Sequence, residues 1–154
     1  MKTKASVLMV IMLAWVLLAL PVPAQASTSD TLNIDAYLWL TGENSAEGYF
    51  CTSGLFVTCG GAYEVFFTAA NTIHGIKTLA VDQGTITIHF QAKLTWNPDG
   101  PGVANGQYVI VSGTGIYEKL HGVGTTHATL SLACLGPECP PNIEAHYTGT
   151  GHFD

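Results

Sequence analysis

The stretch GTITIHFQAKLTW, opening at Gly84, constrains this chain more than any other. In it Ile86, Ile88, Phe90, Ala92 and Leu94 alternate with Thr87, His89, Gln91 and Lys93. Successive side chains of an extended strand point to opposite faces, so a period of two kept over this length predicts a long strand with one buried face. A helix would put these apolar residues all round its surface. The segment from Trp96 to Gly102 breaks the pattern with two prolines and two glycines and predicts a loop.

The same alternation between turn signals recurs along the chain. Gln107 to Ser112 predicts the next strand, and Val123 to Ala133 another, in which Ala128, Leu130 and Leu132 alternate with His127, Thr129 and Ser131. A return strand is predicted from Ile143 to about Phe153. Upstream, Leu32 to Leu40, Gly61 to Ala70 and Thr72 to Val81 read as strands, and Glu47 to Cys59 has room for one or two more. No amphipathic segment is long enough for a good helix. The expectation is an all-β fold of about eight antiparallel strands closed into one barrel, which removes exposed edges; a two-sheet sandwich is the alternative.

The first residues set the compartment. Lys2 and Lys4 precede an apolar run from Val7 to Leu20, then Pro21 and Pro23, then Ala24-Gln25-Ala26 ahead of Ser27. That is the layout of a secretory leader, with cleavage expected after Ala26 and no membrane anchor afterwards. Residues 27–154 are then one domain, secreted or periplasmic. Loss of Lys2 and Lys4 leaves three lysines, no arginine and eleven carboxylates, a net charge of −8. A chain of that charge repels phosphate backbones, and nucleic acid is excluded as a partner.

Four cysteines in an exported chain predict two disulfides, for which three connectivities exist. The spacing favours the sequence neighbours, Cys51 with Cys59 and Cys134 with Cys139. Neither pair has the CxxC spacing of a zinc site.

Candidate chemistry is sparse. Glu118 and His121 lie three apart and have the residue types of an acid-base pair, but a solvated turn accounts for them equally well. Glu144, His146, His152 and Asp154 share one face of the last strand. His146 and His152 are about 20 Å apart along it, too far to share an ion, and His152 with Asp154 needs further ligands from a neighbouring strand. No metal and no cofactor is therefore assigned. No nucleophile elbow, phosphate loop or dinucleotide fingerprint occurs. The apolar face of Ile86, Ile88, Phe90, Leu94, Tyr108, Ile110, Leu130 and Leu132 is expected to point into the barrel, where it either fills the interior or lines a pocket for a ligand.

One segment carries a resemblance. In SGTGIYEKLHGVGT, Gly113-Thr114-Gly115 is followed by Tyr117, Leu120, Gly122 and Gly124-Thr125. This resembles the GTG-x-aromatic segment of the allene oxide cyclase and dirigent barrels, in which a strand ends at Gly-Thr-Gly and the next begins past an irregular turn. The likeness spans about the last half of the mature chain. It implies an eight-stranded barrel that holds an apolar organic molecule and, if an enzyme, steers a cyclisation or isomerisation without a cofactor. The dirigent pattern has Ala-Arg where this chain has Leu120-His121, so no catalytic residue is carried over. Two functions follow as expectations: a secreted barrel binding a small apolar molecule, or a non-catalytic extracytoplasmic structural or interaction module. Self-association is left open.

Overall fold

A computed structural model describes residues 28–135 and 138–154, and the expected leader, residues 1–26, lies outside them. Eight strands follow one another: β1 (Asp30–Gly42), β2 (Ser45–Gly54), β3 (Cys59–Ala69), β4 (Thr72–Val81), β5 (Gly84–Thr95), β6 (Gly102–Gly113), β7 (Leu120–Leu130) and β8 (Ile143–Phe153). Each pairs antiparallel with its sequence neighbours, and β8 returns to β1, where Ile34 faces Tyr147. The sheet is a closed barrel. The sandwich alternative falls, because a sandwich leaves edges and this sheet has none.

The expected strands are present with shifted ends. β6 begins at Gly102, directly after the proline loop, and β7 runs from Leu120 to Leu130 rather than from Val123 to Ala133. Leu132 consequently lies beyond the strand and is 55% exposed, not turned into the barrel. The region from Glu47 to Cys59 holds one strand, β2, and a loop ordered by Thr52, whose hydroxyl donates to the Phe56 carbonyl at 3.0 Å and accepts from the Thr58 amide at 3.0 Å.

Side chains fill the interior. Leu32, Ile34, Leu38, Phe50, Leu79, Ile86, Ile88, Ile110, Ile143 and Tyr147 are buried in one cluster, and Ile73, Ala92, Leu94 and Ala104 form a second toward one end. Full burial of each large aliphatic side chain contributes about 1.5–3 kcal/mol before the entropy of ordering it is counted. The packing alternates large with small across the barrel. One register row runs Phe66, Gly75, Phe90, Tyr108, Gly124, Gly149 over six strands. A Cβ on Gly75 would strike the Phe90 ring, and one on Gly124 would lie 2.7 Å from Tyr108 Cε1. The glycines give the aromatic rings their room.

The segment with the family resemblance is a barrel corner. After β6 the chain makes a short 3-10 turn, Gly115–Tyr117, that folds buried Tyr117 over the barrel end, with its ring 5.3 Å from that of Phe56. Gly115 has φ +61°, and a Cβ there would meet the Gln83 carbonyl, so glycine is required. At the opposite end Asn142 ties the β7–β8 connection to β1. It accepts from the Leu40 amide at 3.1 Å and donates to the Cys134 carbonyl at 2.7 Å.

The disulfides join Cys51 to Cys59, a register pair of β2 and β3, and Cys134 to Cys139 in the β7–β8 connection. Both are the sequence-neighbour pairs. Two disulfides fit an oxidising, extracytoplasmic location.

Candidate functional site: an outer groove above a buried ion pair

The eight residues expected to line a ligand separate in the structure. Ile86, Ile88, Leu94 and Ile110 are core packing, Leu130 is partly buried against it, and Leu132 is outside. Phe90 and Tyr108 alone among them also border a large hollow, and that hollow is on the outer face of the barrel.

This groove has a volume of about 1040 Å³ and crosses β3 to β7. Its floor is the row Phe66, Gly75, Phe90, Tyr108, Gly124, whose side chains point inward or are missing, so the outer surface sinks between two rows that point outward. One lip is Val65, Ile76, His89, Val109 and Val123; the other is Phe67, His74, Gln91, Gln107 and Thr125, each set being consecutive register partners. Strand spacing makes the groove about 19 Å long, and the two-residue repeat places the lips about 7 Å apart. The first lip is apolar except at His89. The second offers amide, imidazole and hydroxyl groups, with the Phe67 and His74 rings stacked at 5.1 Å. No Lys, Arg, Asp or Glu is among the fifteen lining residues.

Exposed large apolar side chains adjoin one another here: Phe67 is 60% and Val123 56% exposed, with Val65, Ile76 and Val109 also open to solvent. A contiguous apolar surface of this kind exposed on a protein marks a place of interaction. The rest of the outer wall is mixed, with an aromatic cluster of Tyr37, Trp39 and Tyr49 on β1 and β2 and polar groups elsewhere. Asn33, Asp35, His127, Glu144 and His146 project from β1, β7 and β8.

Beneath the groove lies the one polar cluster of the interior among the described residues. Glu64 and Lys77 are register partners on β3 and β4, with Oε2 and Nζ 2.8 Å apart and both side chains shut away from solvent. Lys77 Nζ also stands 4.9 Å from the centre of the Tyr147 ring, which reaches over from β8. The Tyr108 and Tyr147 rings meet edge to face at 5.3 Å. Desolvation pulls the Lys77 ammonium toward neutrality, but Tyr147 and the Glu64 carboxylate more than offset it, and its pKa lies above the ordinary lysine value. Burial raises the phenols of Tyr147 and Tyr108, the latter to about 12.

Lys77 Nζ and the Tyr108 hydroxyl make no directed hydrogen bond among the described residues. For Lys77 the 2.8 Å contact is an ion pair whose attraction does not depend on alignment. For Tyr108 the hydroxyl is an uncompensated buried group.

No protein-family model, no curated protein and no solved structure matches this chain. Its function must be read from its own residues.

The other sequence candidates are dispersed. Glu118 and His121 do not pair: His121 Nε2 lies 3.1 Å from Asp154 Oδ2. His146 Nδ1 is 2.7 Å from Asp35 Oδ1, and His127 Nδ1 is 2.8 Å from Asn105 Oδ1. The ion pair escaped the sequence reading although its signal is present. Lys77 has the same strand parity as buried Ile73 and Leu79, and Glu64 the parity of buried Ala62, so both had to point inward. The groove too had a signal, the unbroken apolar run Tyr108-Val109-Ile110-Val111, which makes both faces of β6 apolar.

Proposed function

We propose that this protein is an exported binding barrel that holds a small, uncharged, largely apolar molecule in the outer groove across β3 to β7. The observation that carries the reading is the groove itself, about 1040 Å³ lined by no Lys, Arg, Asp or Glu and with apolar side chains along one lip. Its size is at the upper end for small-molecule sites, commonly about 300–1,000 Å³. One lip buries hydrocarbon, and Gln91, Gln107 and Thr125 on the other supply hydrogen bonds that orient the bound molecule. The likeness of the Gly113 to Thr125 segment to allene oxide cyclase and dirigent barrels favours the same ligand class, and the leader-like N-terminus together with the two disulfides favours export.

The reading is one of binding, not turnover. Glu64, Lys77 and Tyr147 have the residue types for proton transfer, but burial keeps them from any molecule in the groove. A general acid or base must come within hydrogen-bond reach of the proton it moves.

Titration of the oxidised protein with an environment-sensitive apolar fluorophore tests this. Saturable binding that Val109→Glu and Val123→Glu weaken at least about tenfold, with Val57→Glu in the β2–β3 loop as an inert control, is the expected result. Binding that the groove variants leave unchanged refutes the site.

A second reading has its own observation. Apolar exposure continues past the groove to Tyr63 and Val111, as on a surface that meets a protein partner. Under that reading the fluorophore does not saturate, and the groove variants disrupt a complex instead.

A further inference from the structure

On the outer wall of β7 and β8, flanking the β7 end of the groove, two histidine pairs face each other across the ladder: His121 with His152, and His127 with His146. Their surroundings differ. In the first pair the rings are stacked, with centroids 5.3 Å apart and planes within 23°. Both rings direct Nε2 at one carboxylate: His121 Nε2 is 3.1 Å from Asp154 Oδ2 and His152 Nε2 is 3.3 Å from Asp154 Oδ1. In the second pair each ring is engaged separately, His127 by Asn105 and His146 by Asp35.

We propose that His121, His152 and Asp154 form a surface site for one divalent transition-metal ion of the zinc and copper class. Two imidazole nitrogens and a carboxylate are the donors such ions take from proteins, at bond lengths of about 2.0–2.2 Å. The one carboxylate is in direct contact with both imidazoles, at 3.1 Å and 3.3 Å through its two oxygens, so the three donor groups are already neighbours. The imidazoles are presented by register partners of a closed sheet, so the backbone is already in place. Asp154 is held as well, since its amide donates to the Lys119 carbonyl at 3.2 Å. The negative charge of the chain attracts a cation to this wall.

Among the described residues no group of three His, Cys, Asp or Glu side chains is placed to hold a metal ion as it stands. Here the carboxylate lies between the imidazoles with one oxygen toward each ring. Admitting an ion requires torsional adjustment of side chains that are 55%, 30% and 60% exposed for His121, His152 and Asp154, so the adjustment meets little packing. The ion takes neutral imidazole, with the ring proton on Nδ1, and water completes its coordination. The sequence showed that His152 and Asp154 need a ligand from a neighbouring strand, and β7 supplies it as His121.

The second histidine pair is an internal control, with the same residue types and the same ladder but no convergent donors. The test is isothermal titration of the full, untagged, oxidised chain with zinc chloride alone after chelator dialysis. One saturable site is expected, weakened about 10–100-fold by His121→Ala, His152→Ala or Asp154→Asn and unchanged by His127→Ala or His146→Ala. All five positions are at least partly solvent-exposed, and circular dichroism of each variant verifies the fold. Absence of saturable zinc binding, a site that survives His121→Ala, or one lost with His127→Ala or His146→Ala overturns the proposal.

Discussion

Glu64 and Lys77 face each other across the β3–β4 ladder with 2.8 Å between carboxylate and ammonium, inside a barrel whose other interior side chains are mostly apolar. Each makes the burial of the other tolerable. Taking either charge out of water costs several kcal/mol, and their mutual attraction in the low-dielectric interior offsets that cost only while both are present.

Breaking the pair should therefore be far worse than deleting it. Lys77→Met or Glu64→Leu alone is expected to destabilise the fold by about 3–5 kcal/mol, whereas the double variant should return close to the parent or exceed it. Urea unfolding followed by tryptophan fluorescence measures all four corners of the cycle. Additive losses would show that the two charges do not depend on each other.

The interior should also make the fold sensitive to alkali. The folded pKa of Tyr108 is raised from 10.0 to about 12, and that of Lys77 lies above 10.5. Below pH 10 both groups are protonated in the folded and the unfolded chain, and their contribution to stability is complete. Above it the unfolded chain releases protons that the folded chain retains, so stability falls as pH climbs toward 12. Urea midpoints measured from pH 8 to 12 should decline over that window. Tyr108→Phe should make the decline shallower and, by removing an unpartnered buried hydroxyl, raise stability at neutral pH by about 1 kcal/mol. A flat profile to pH 12 would contradict this.

Gly124 tests the alternation of large and small residues across the barrel. Gly124→Ala places a Cβ against the Thr148 carbonyl as well as the Tyr108 ring, and overpacking of this kind costs about 1–3 kcal/mol. Gly124→Ala combined with Tyr108→Leu should lose less than the sum of the single changes, because the ring is the softer of the two obstacles. Full additivity would place the strain in the backbone alone.

The strands were legible in the sequence because alternation over ten or more residues has one structural solution, and the β5 face of Ile86, Ile88, Phe90, Ala92 and Leu94 shows it most clearly; the same alternation suits a barrel and a sandwich alike, and the β8–β1 pairing decides between them. Strand ends were less legible. Gly102 and Leu120 extend β6 and β7 through residues whose local preferences favour a turn, since the ladder supplies partners that a local reading cannot see. Leu132 failed for the complementary reason. Its alternation continues that of Leu130, but Asn142 and the Cys134–Cys139 bridge draw the chain out of the sheet there.

The groove was least legible because it belongs to register, not to any one strand. Val65, Ile76, Val109 and Val123 are scattered over about sixty residues and become one lip only when four ladders align them. The same holds for His121 and Asp154, which the sequence separates and the β7–β8 ladder brings together.

The central claim is that the outer groove holds a small apolar molecule, and native mass spectrometry of the oxidised protein purified from its own host tests it most directly. The account predicts an additional small mass that organic extraction removes and that is absent from the Val109→Glu variant prepared in the same way. A bare polypeptide mass before extraction, or a bound mass that Val109→Glu retains, would contradict it.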